Sequence, residues 1–300
     1  MDLGVQIGPL KAANPLFLAS GTWGFGELLS RYFDLSLMGG LVTKGLSWLP
    51  REGNPPPRLA EAPCGLINAI GLENPGVLRF REEIWPRLSQ YGTNILVNVF
   101  GETVSDFVKV VEALRSLPLA GIELNISCPN VEKGGLSFAQ DPKAVKRLLR
   151  EVRNIYGGFL VVKLSPVGPV LEVAEVCLME GADALTVANT YPALAVDLWQ
   201  RRPALGRGSG GLSGPAIKPL TLKLVHEVWK RFKPPIFGCG GIVSGRDVLE
   251  YMLCGATAVQ VGTATLLDPE NPPRILEETK TLLAKMGEEK ILSLIGALKS

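Results

Sequence analysis

Residues 159–189 read FLVVKLSPVGPVLEVAEVCLMEGADALTVAN. Two short apolar runs, Phe159–Leu164 and Ala184–Asn189, enclose a longer segment, Pro169–Glu180. The runs have strand length and contain β-branched residues, and Gly, Pro and Asp stand between them. The middle segment has helix length. Strand, helix and strand in this order read as a parallel β/α unit.

The same unit recurs on both sides. Strands are expected at Pro15–Ser20, Gly40–Lys44, Asn94–Phe100, Gly121–Ser127, Pro235–Cys239 and Ala258–Gly262. Helices are expected at Thr103–Leu117, Asp141–Tyr156, Pro219–Phe232, Ser244–Cys254 and Pro272–Met286. Asp141-Pro142 and Ser244 have the chemistry of helix starts, a capping oxygen before an apolar period. Eight strands alternating with helices predict an α/β protein, a closed (β/α)8 TIM barrel, rather than an open sheet. No linker divides the chain, so residues 1–300 read as a single domain. Trp48–Pro63 is Pro-rich and Arg201–Pro215 is Gly-rich, and both read as long loops of the kind that carry function.

Composition narrows the function. The chain has 300 residues, 46% hydrophobic and 20% charged, which is ordinary for a globular protein. Its 31 Lys and Arg against 29 Asp and Glu leave a net charge of +2, with no pull toward nucleic acid or an anionic membrane. The five cysteines form no C-x-x-C pair and read as reduced thiols of a cytoplasmic protein. Cys64, Cys177, Cys239 and Cys254 are expected to be small buried residues. His226 is the single histidine, which argues against His-ligated zinc and against Ser-His-Asp or Cys-His catalysis. It falls within a helical stretch and is expected to be a surface or satisfied side chain. Neither a signal peptide at Met1–Lys11 nor a membrane span is expected.

In a barrel the chemistry gathers where strands end. The strand ends here supply Ser20, Lys44, Asn98, Asn125, Cys128, Lys163, Asn189, Gly240-Gly241 and Gly262-Thr263. Strand alternation puts Glu123, Asn125 and Ser127 on one face. Each lysine alone could simply reach solvent, but two lysines and three asparagines on one rim call for polar partners. Amides and cations suit an anionic, planar, hydrogen-bonding ligand. The glycines after the last two strands let backbone N–H groups approach a phosphate, although they could also serve only to turn the chain.

Gly206–Gly211, GRGSGG, fits G-x-G-x-x-G literally. No strand precedes it and no helix follows directly, so the dinucleotide context is missing and a flexible active-site loop is the better reading. Cys128 stands at a strand end before Val131–Gln140, a segment with paired glycines that reads as a lid. A thiolate near lysines can act as a base, and a lid would exclude water during the step.

Several ordered motifs then make the resemblance specific. They are Asn14–Gly26 (NPLFLASGTWGFG), Val42–Lys44 with Pro50–Arg58 (PREGNPPPR), Asn68–Pro75 (NAIGLENP), Glu123–Val131 (ELNISCPNV), Gly210–Pro219 (GGLSGPAIKP) and Gly238–Gly245 (GCGGIVSG). Over essentially its whole length the chain resembles the dihydroorotate dehydrogenase family, flavin enzymes of pyrimidine synthesis. The resemblance implies one FMN per chain. Its phosphate would lie on Gly240, Gly241, Gly262 and Thr263, and Ser20, Lys44, Gly45, Asn98, Asn125, Lys163, Ala188 and Gly214 would line the rest. Lys44 would hold the orotate carboxylate. Asn68, Asn125, Asn189 and Thr190, with the backbone of Ala69, Ile70, Gly71 and Leu72, would bind its amide edge. Cys128 would be the base.

A cysteine at the base position, with no expected membrane helix, resembles class 1, and GGLSGPAIKP with PREGNPPPR is most like the class 1B catalytic subunit. That subclass implies a homodimer joined by FAD/iron–sulfur (2Fe-2S) subunits into a heterotetramer that passes electrons to NAD. The chain departs from the family pattern at Tyr191-Pro192-Ala193-Leu194 and at Gly45-Leu46. Other readings are a class 1A-like enzyme using fumarate, a related FMN barrel acting on another pyrimidine or a tRNA uridine, and a non-redox phosphate-binding barrel.

Overall fold

The computed structural model describes residues 1–127 and 138–299. Eight parallel strands close into a barrel in chain order. They are β1 (Leu16–Leu18), β2 (Gly40–Val42), β3 (Asn94–Val99), β4 (Gly121–Asn125), β5 (Leu160–Lys163), β6 (Ala184–Val187), β7 (Ile236–Cys239) and β8 (Ala258–Val261). The ring closes where β8 pairs with β1, Val259 beside Leu16 and Val261 beside Leu18. Helices cover the outside and side chains fill the inside. Both faces are therefore dry, which is why these strands are apolar runs rather than alternating ones. Each observed strand lies within its expected segment and is shorter, because the residues at the strand ends leave the ladder to form the rim.

Six helices lie where they were expected, α1 (Val104–Leu114), α2 (Pro142–Ile155), α3 (Val170–Met179), α4 (Lys218–Phe232), α5 (Gly245–Leu253) and α7 (Asn271–Lys285), and a short α6 (Thr263–Leu267) adds to them. Asp141 caps α2 through the N–H groups of Lys143 and Ala144 at 2.9 and 3.2 Å, with Pro142 in the first turn. Ser244 and Asp247 form a reciprocal capping box at the start of α5, and Thr103 and Asp106 do the same for α1. A further helical segment, 77–88, lies between β2 and β3. Its middle turn, Phe80–Ile84, widens to bonds spanning five residues. Pro86, two residues beyond it, has no N–H for a regular turn.

The segments expected to be loops are partly strands. Leu59–Ala62, Gly65–Asn68, Gly210–Ser213 and Tyr191–Ala193 form a four-stranded antiparallel sheet, with Leu59 and Gly211 both opposite Asn68. The GRGSGG segment thus ends inside a strand rather than in a flexible loop. The sheet is only half-buried and pairs segments far apart in sequence, so no local apolar alternation announces it. Cys64 is exposed rather than buried, because it forms the tight turn of this sheet with φ of 57°. His226 is half-buried on α4, and its Nδ1 has no hydrogen-bond partner among the described residues. The side chain thus keeps partial exposure but is not satisfied at Nδ1, because α4 packs its neighbours Val225 and Val228 into the core. At the opposite end of the barrel, the hairpin Val5–Ile7/Leu10–Ala12 lies against the strand starts, and Gly8 there abuts Asp183 and Phe159.

Inside the barrel, Phe17 of β1 meets Phe237 of β7 edge to face at 5.0 Å. Gly40 of β2 makes the space for Phe17. A Cβ there would stand 2.1 Å from the Phe17 ring and 2.9 Å from the Asn94 carbonyl. Gly40→Ala is expected to cost roughly 1–3 kcal/mol by overpacking. Urea unfolding of that variant, and of Gly40→Ala combined with Phe17→Leu, checks this. The second change should recover part of the loss.

Candidate functional site

The strand ends at the C-terminal mouth build the site in three connected parts. The first is a floor of buried polar side chains. Asn98, Glu123, Thr186 and Gln260 project into the barrel from β3, β4, β6 and β8, each at most 1% exposed. Glu123 accepts hydrogen bonds from Asn98 Nδ2 at 2.7 Å, Thr186 Oγ1 at 2.6 Å and Gln260 Nε2 at 2.7 Å. Asn98 Oδ1 is buried and has no hydrogen-bond partner among the described residues.

Lys163, the last residue of β5, is 5% exposed and makes no hydrogen bond or ion pair with the described residues. Burial works against its charge, but the field of Cys239 and Glu123 outweighs this and holds the Lys163 pKa above its usual value. The same surroundings push the Cys239 thiol up, chiefly by excluding water. Cys239 is therefore a neutral thiol near pH 7.

The second part is a cradle of glycines. Gly240 and Gly241 follow β7, and Gly262 and Thr263 follow β8 and open α6. The N–H groups of Gly241, Gly262 and Thr263 donate to no other described residue. Gly241 has φ of +69°, and a Cβ there would meet the Gly214 carbonyl and the Lys218 stem at 2.8 Å. Gly214, with φ of +95°, lies against Gly65 and the Thr263 methyl group. Backbone therefore crowds on backbone, with N–H groups left over for an anion. Asp247 holds the loop after Gly241 from below. It accepts from the N–H groups of Val243 and Ser244 at 2.9 Å and from Lys218 Nζ at 2.6 Å. Burial opposes its charge, but Lys218 and these donors win and hold its pKa below the usual value.

The third part is the small sheet and the segments around it. Lys44, two residues beyond β2, pairs with Glu73 Oε2 at 3.5 Å, and Arg58 Nη1 holds the same oxygen at 2.9 Å. Leu72 at φ 56° and Gly71 at φ 78° bend the chain beside Asn54. Ala69 donates its N–H to the Arg58 carbonyl, and the Ile70 carbonyl accepts from Asn54. Asn68 donates to the Gly211 carbonyl at 3.1 Å, so its amide N–H₂ group is engaged in the small sheet. Gly211 is packed on Thr190. Asn125 accepts from Ser127 Oγ at 2.6 Å and from Asn189 Nδ2 at 3.4 Å, and Asn189 also donates to Ser127 Oγ. Asn189 Oδ1 takes the Thr190 N–H at 2.8 Å.

Ser20 and Ala188 flank the mouth beyond β1 and β6. Ser20 is half-buried, and Ala188 is buried with its N–H on the Cys239 carbonyl. Gly45 explains one departure from the family pattern: a Cβ there would stand 2.8 Å from Asn98 Oδ1. The other departure, at Tyr191, Pro192 and Ala193, is an edge strand of the small sheet. Cys128 lies outside the described residues, as does the expected lid before Phe138. Sequence reading did not single out Glu73, Arg58, Thr186 or Gln260. Of these only Gln260 carried a signal, an amide inside the buried run AVQV.

These parts fit a flavin mononucleotide. The cradle offers N–H groups to a phosphate, Asn98 Oδ1 is an acceptor awaiting an N–H, and Lys163 is a buried cation without a bound partner. The family model described as Dihydroorotate dehydrogenase matches residues 2–283. The chain is 47% identical to "Dihydroorotate dehydrogenase B (NAD(+)), catalytic subunit" of Geobacter sp. (strain M21), over 99% of this chain and 98% of that protein. A protein of the same description from Geotalea daltonii is also 47% identical over the same shares. One from Phocaeicola vulgatus is 43% identical over 99% of each chain.

Removing the carboxylate under the cradle should loosen it in a pH-dependent way. Asp247→Ala is expected to lower stability at pH 7 by roughly 1–3 kcal/mol. A lowered carboxylate pKa contributes stability above the unfolded value of 3.8, lost as pH falls through the lower folded value. The gap in urea midpoint between wild type and variant should therefore be full at pH 7 and narrow as the pH falls below 3.8.

Proposed function

Because the chain belongs to the dihydroorotate dehydrogenase family, we propose that it is the catalytic subunit of an NAD-linked enzyme that oxidises dihydroorotate to orotate with FMN. The observation that carries this reading is a pair of buried polar groups without partners among the described residues, Lys163 Nζ and Asn98 Oδ1, beneath a backbone cradle. A non-redox phosphate barrel would need the cradle but not that floor.

FMN, when bound, supplies a two-electron acceptor for the hydride that leaves C6 of dihydroorotate. Gly240, Gly241, Gly262 and Thr263 hold its phosphate, and Ser20, Gly45, Ala188 and Gly214 frame it. Asn98, Asn125 and Lys163 meet the ring. Lys163 favours the negative charge gained on reduction. Lys44 binds the substrate carboxylate. Its pairing with Glu73 is long and partly exposed, which makes it weak and exchangeable. The backbone of Ala69, Ile70, Gly71 and Leu72, with Asn68, Asn189 and Thr190, receives the polar edge of the substrate ring. Cys128 removes the C5 proton, a role supported by its place in ELNISCPNV. Orotate, the proton and the hydride together account for the substrate.

Residues 1–300 act as one barrel domain in the cytoplasm, and the scattered cysteines support a reducing compartment. No helix of the described residues is long and apolar enough to cross a membrane. The word "subunit" in the relatives' names supports a partner. The partner in this reading carries FAD and a 2Fe-2S cluster, and it joins a homodimer of this chain to form a heterotetramer. The hairpin Val196–Asp197/Arg202–Pro203 carries Leu198 and a Trp199 that is 90% exposed, an apolar projection suited to a protein contact.

The first test is the visible spectrum of the purified chain without oxygen. The flavin band is expected to bleach on addition of dihydroorotate and to stay bleached with fumarate. A band that ignores dihydroorotate would sink the substrate assignment, and no band after incubation with FMN would sink the redox assignment. Cys128→Ala should slow bleaching by about 100-fold or more, since that is the usual scale of a positioned base.

A further inference from the structure

Glu123 is fully buried in β4, yet the reaction as described gives it no contact with substrate or cofactor. A carboxylate in a dry barrel persists only when its oxygens are hydrogen-bonded and an opposite charge faces it. Both conditions hold. Oε1 takes Asn98 Nδ2, and Oε2 takes Thr186 Oγ1 and Gln260 Nε2. The cation that faces it is Lys163, which lies on the adjacent strand β5 two residues beyond Val161, the residue paired with Glu123.

This arrangement decides which way an amide faces. The two ends of an asparagine side chain are a donor and an acceptor that exchange on a half-turn. Glu123 Oε1 accepts, so it selects the orientation with Nδ2 inward. Oδ1 is then turned the other way, where it is buried, unpartnered and 2.8 Å from the space over Gly45. The opposite orientation would set Oδ1 against the carboxylate.

We propose that Glu123 is a positioning residue for the flavin: it locks Asn98 with its acceptor toward the ring and partly neutralises the field of Lys163 on that ring. The proposal rests on reading the mouth as an FMN site. Lys163 alone would favour the reduced, more negative ring, and Glu123 subtracts from that preference. It thereby sets how readily electrons pass onward after the substrate has given them up. The side chain acts through Asn98 and Lys163 and need not touch the cofactor.

Two variants separate orientation from charge. Glu123→Gln keeps the shape and one acceptor for Asn98, and Gln260 can turn to meet the new amide because its own Oε1 is unpartnered. Glu123→Ala removes acceptor and charge together. In the chain without FMN, the Asn98 side-chain amide signal, assigned by its loss in Asn98→Ala, reports the orientation. A downfield Nδ2 proton should be present in wild type and Glu123→Gln and absent in Glu123→Ala.

In the FMN-loaded chain, Glu123→Gln should bind FMN as wild type does. Its ratio of reduced to oxidised flavin at a fixed poise should rise about tenfold, the scale of one buried charge. Glu123→Ala should bind FMN about tenfold or more weakly. An unchanged flavin potential in Glu123→Gln overturns the electrostatic role. If Glu123→Ala does not fold, that potential decides alone. An Asn98 signal indifferent to Glu123→Ala overturns the positioning role whether or not FMN binds. A wild-type chain that takes up no FMN overturns the flavin reading, and the role toward the ring falls with it.

Discussion

The hydrogen bonds that converge on Glu123 are the constraint around which the mouth is arranged. A closed parallel barrel has no water along its axis, so a charge placed there must be met by the strands themselves. Donors from β3, β6 and β8 reach the Glu123 carboxylate, and Lys163 arrives from β5. Strands β3, β4, β6 and β8 are thus tied together just below the rim. Above that level the strands end and their side chains are free to serve a ligand. Opposite Gln260 and Thr186 in register, Phe17 and Phe237 pack the interior as an apolar contact.

The rim divides its work by chemistry. On the side of β7 and β8, glycines bring bare backbone together, and the only side chains needed are those that brace the loop from underneath. Asp247 and Lys218 do this, and neither projects into the cradle's own N–H groups. On the side of β2, charged side chains remain half-exposed. Glu73 is shared between Lys44 and Arg58, so the cation meant for a substrate carboxylate already rests against a carboxylate of the protein. An exposed pair is easily exchanged, whereas the Glu123 cluster is not. Rigid polar groups lie where a cofactor would stay, and exchangeable ones lie where a substrate would come and go.

The small antiparallel sheet connects these regions. It carries Asn68 and Gly211 in register, places Gly65 under Gly214, and leads from β6 through Tyr191–Ala193. Its half-buried glycines and prolines give it no periodic signature, so it looked like loop. Its existence depends on pairing Gly65–Asn68 with Gly210–Ser213, a contact no local window of sequence contains. The exposure of Cys64 follows for the same reason: burial belongs to the assembled molecule.

Much of the molecule was nonetheless legible. The eight barrel strands are buried on both faces and mostly apolar, so each stands out as a short run, and the caps at Asp141 and Ser244 mark helix starts by local chemistry alone. Residue type and strand-end position together identified Lys163, Asn98, Asn125 and the glycine pairs as mouth residues, because every strand of such a barrel points the same way. What only the tertiary structure decided is which of those groups are spent on the protein and which are left over. Glu123 was visible as a neighbour of Asn125 along one strand face, but its partners are 25, 63 and 137 residues away. Hydrogen-bond complementarity is a property of atoms in space, and only closure of the barrel brings those atoms within reach.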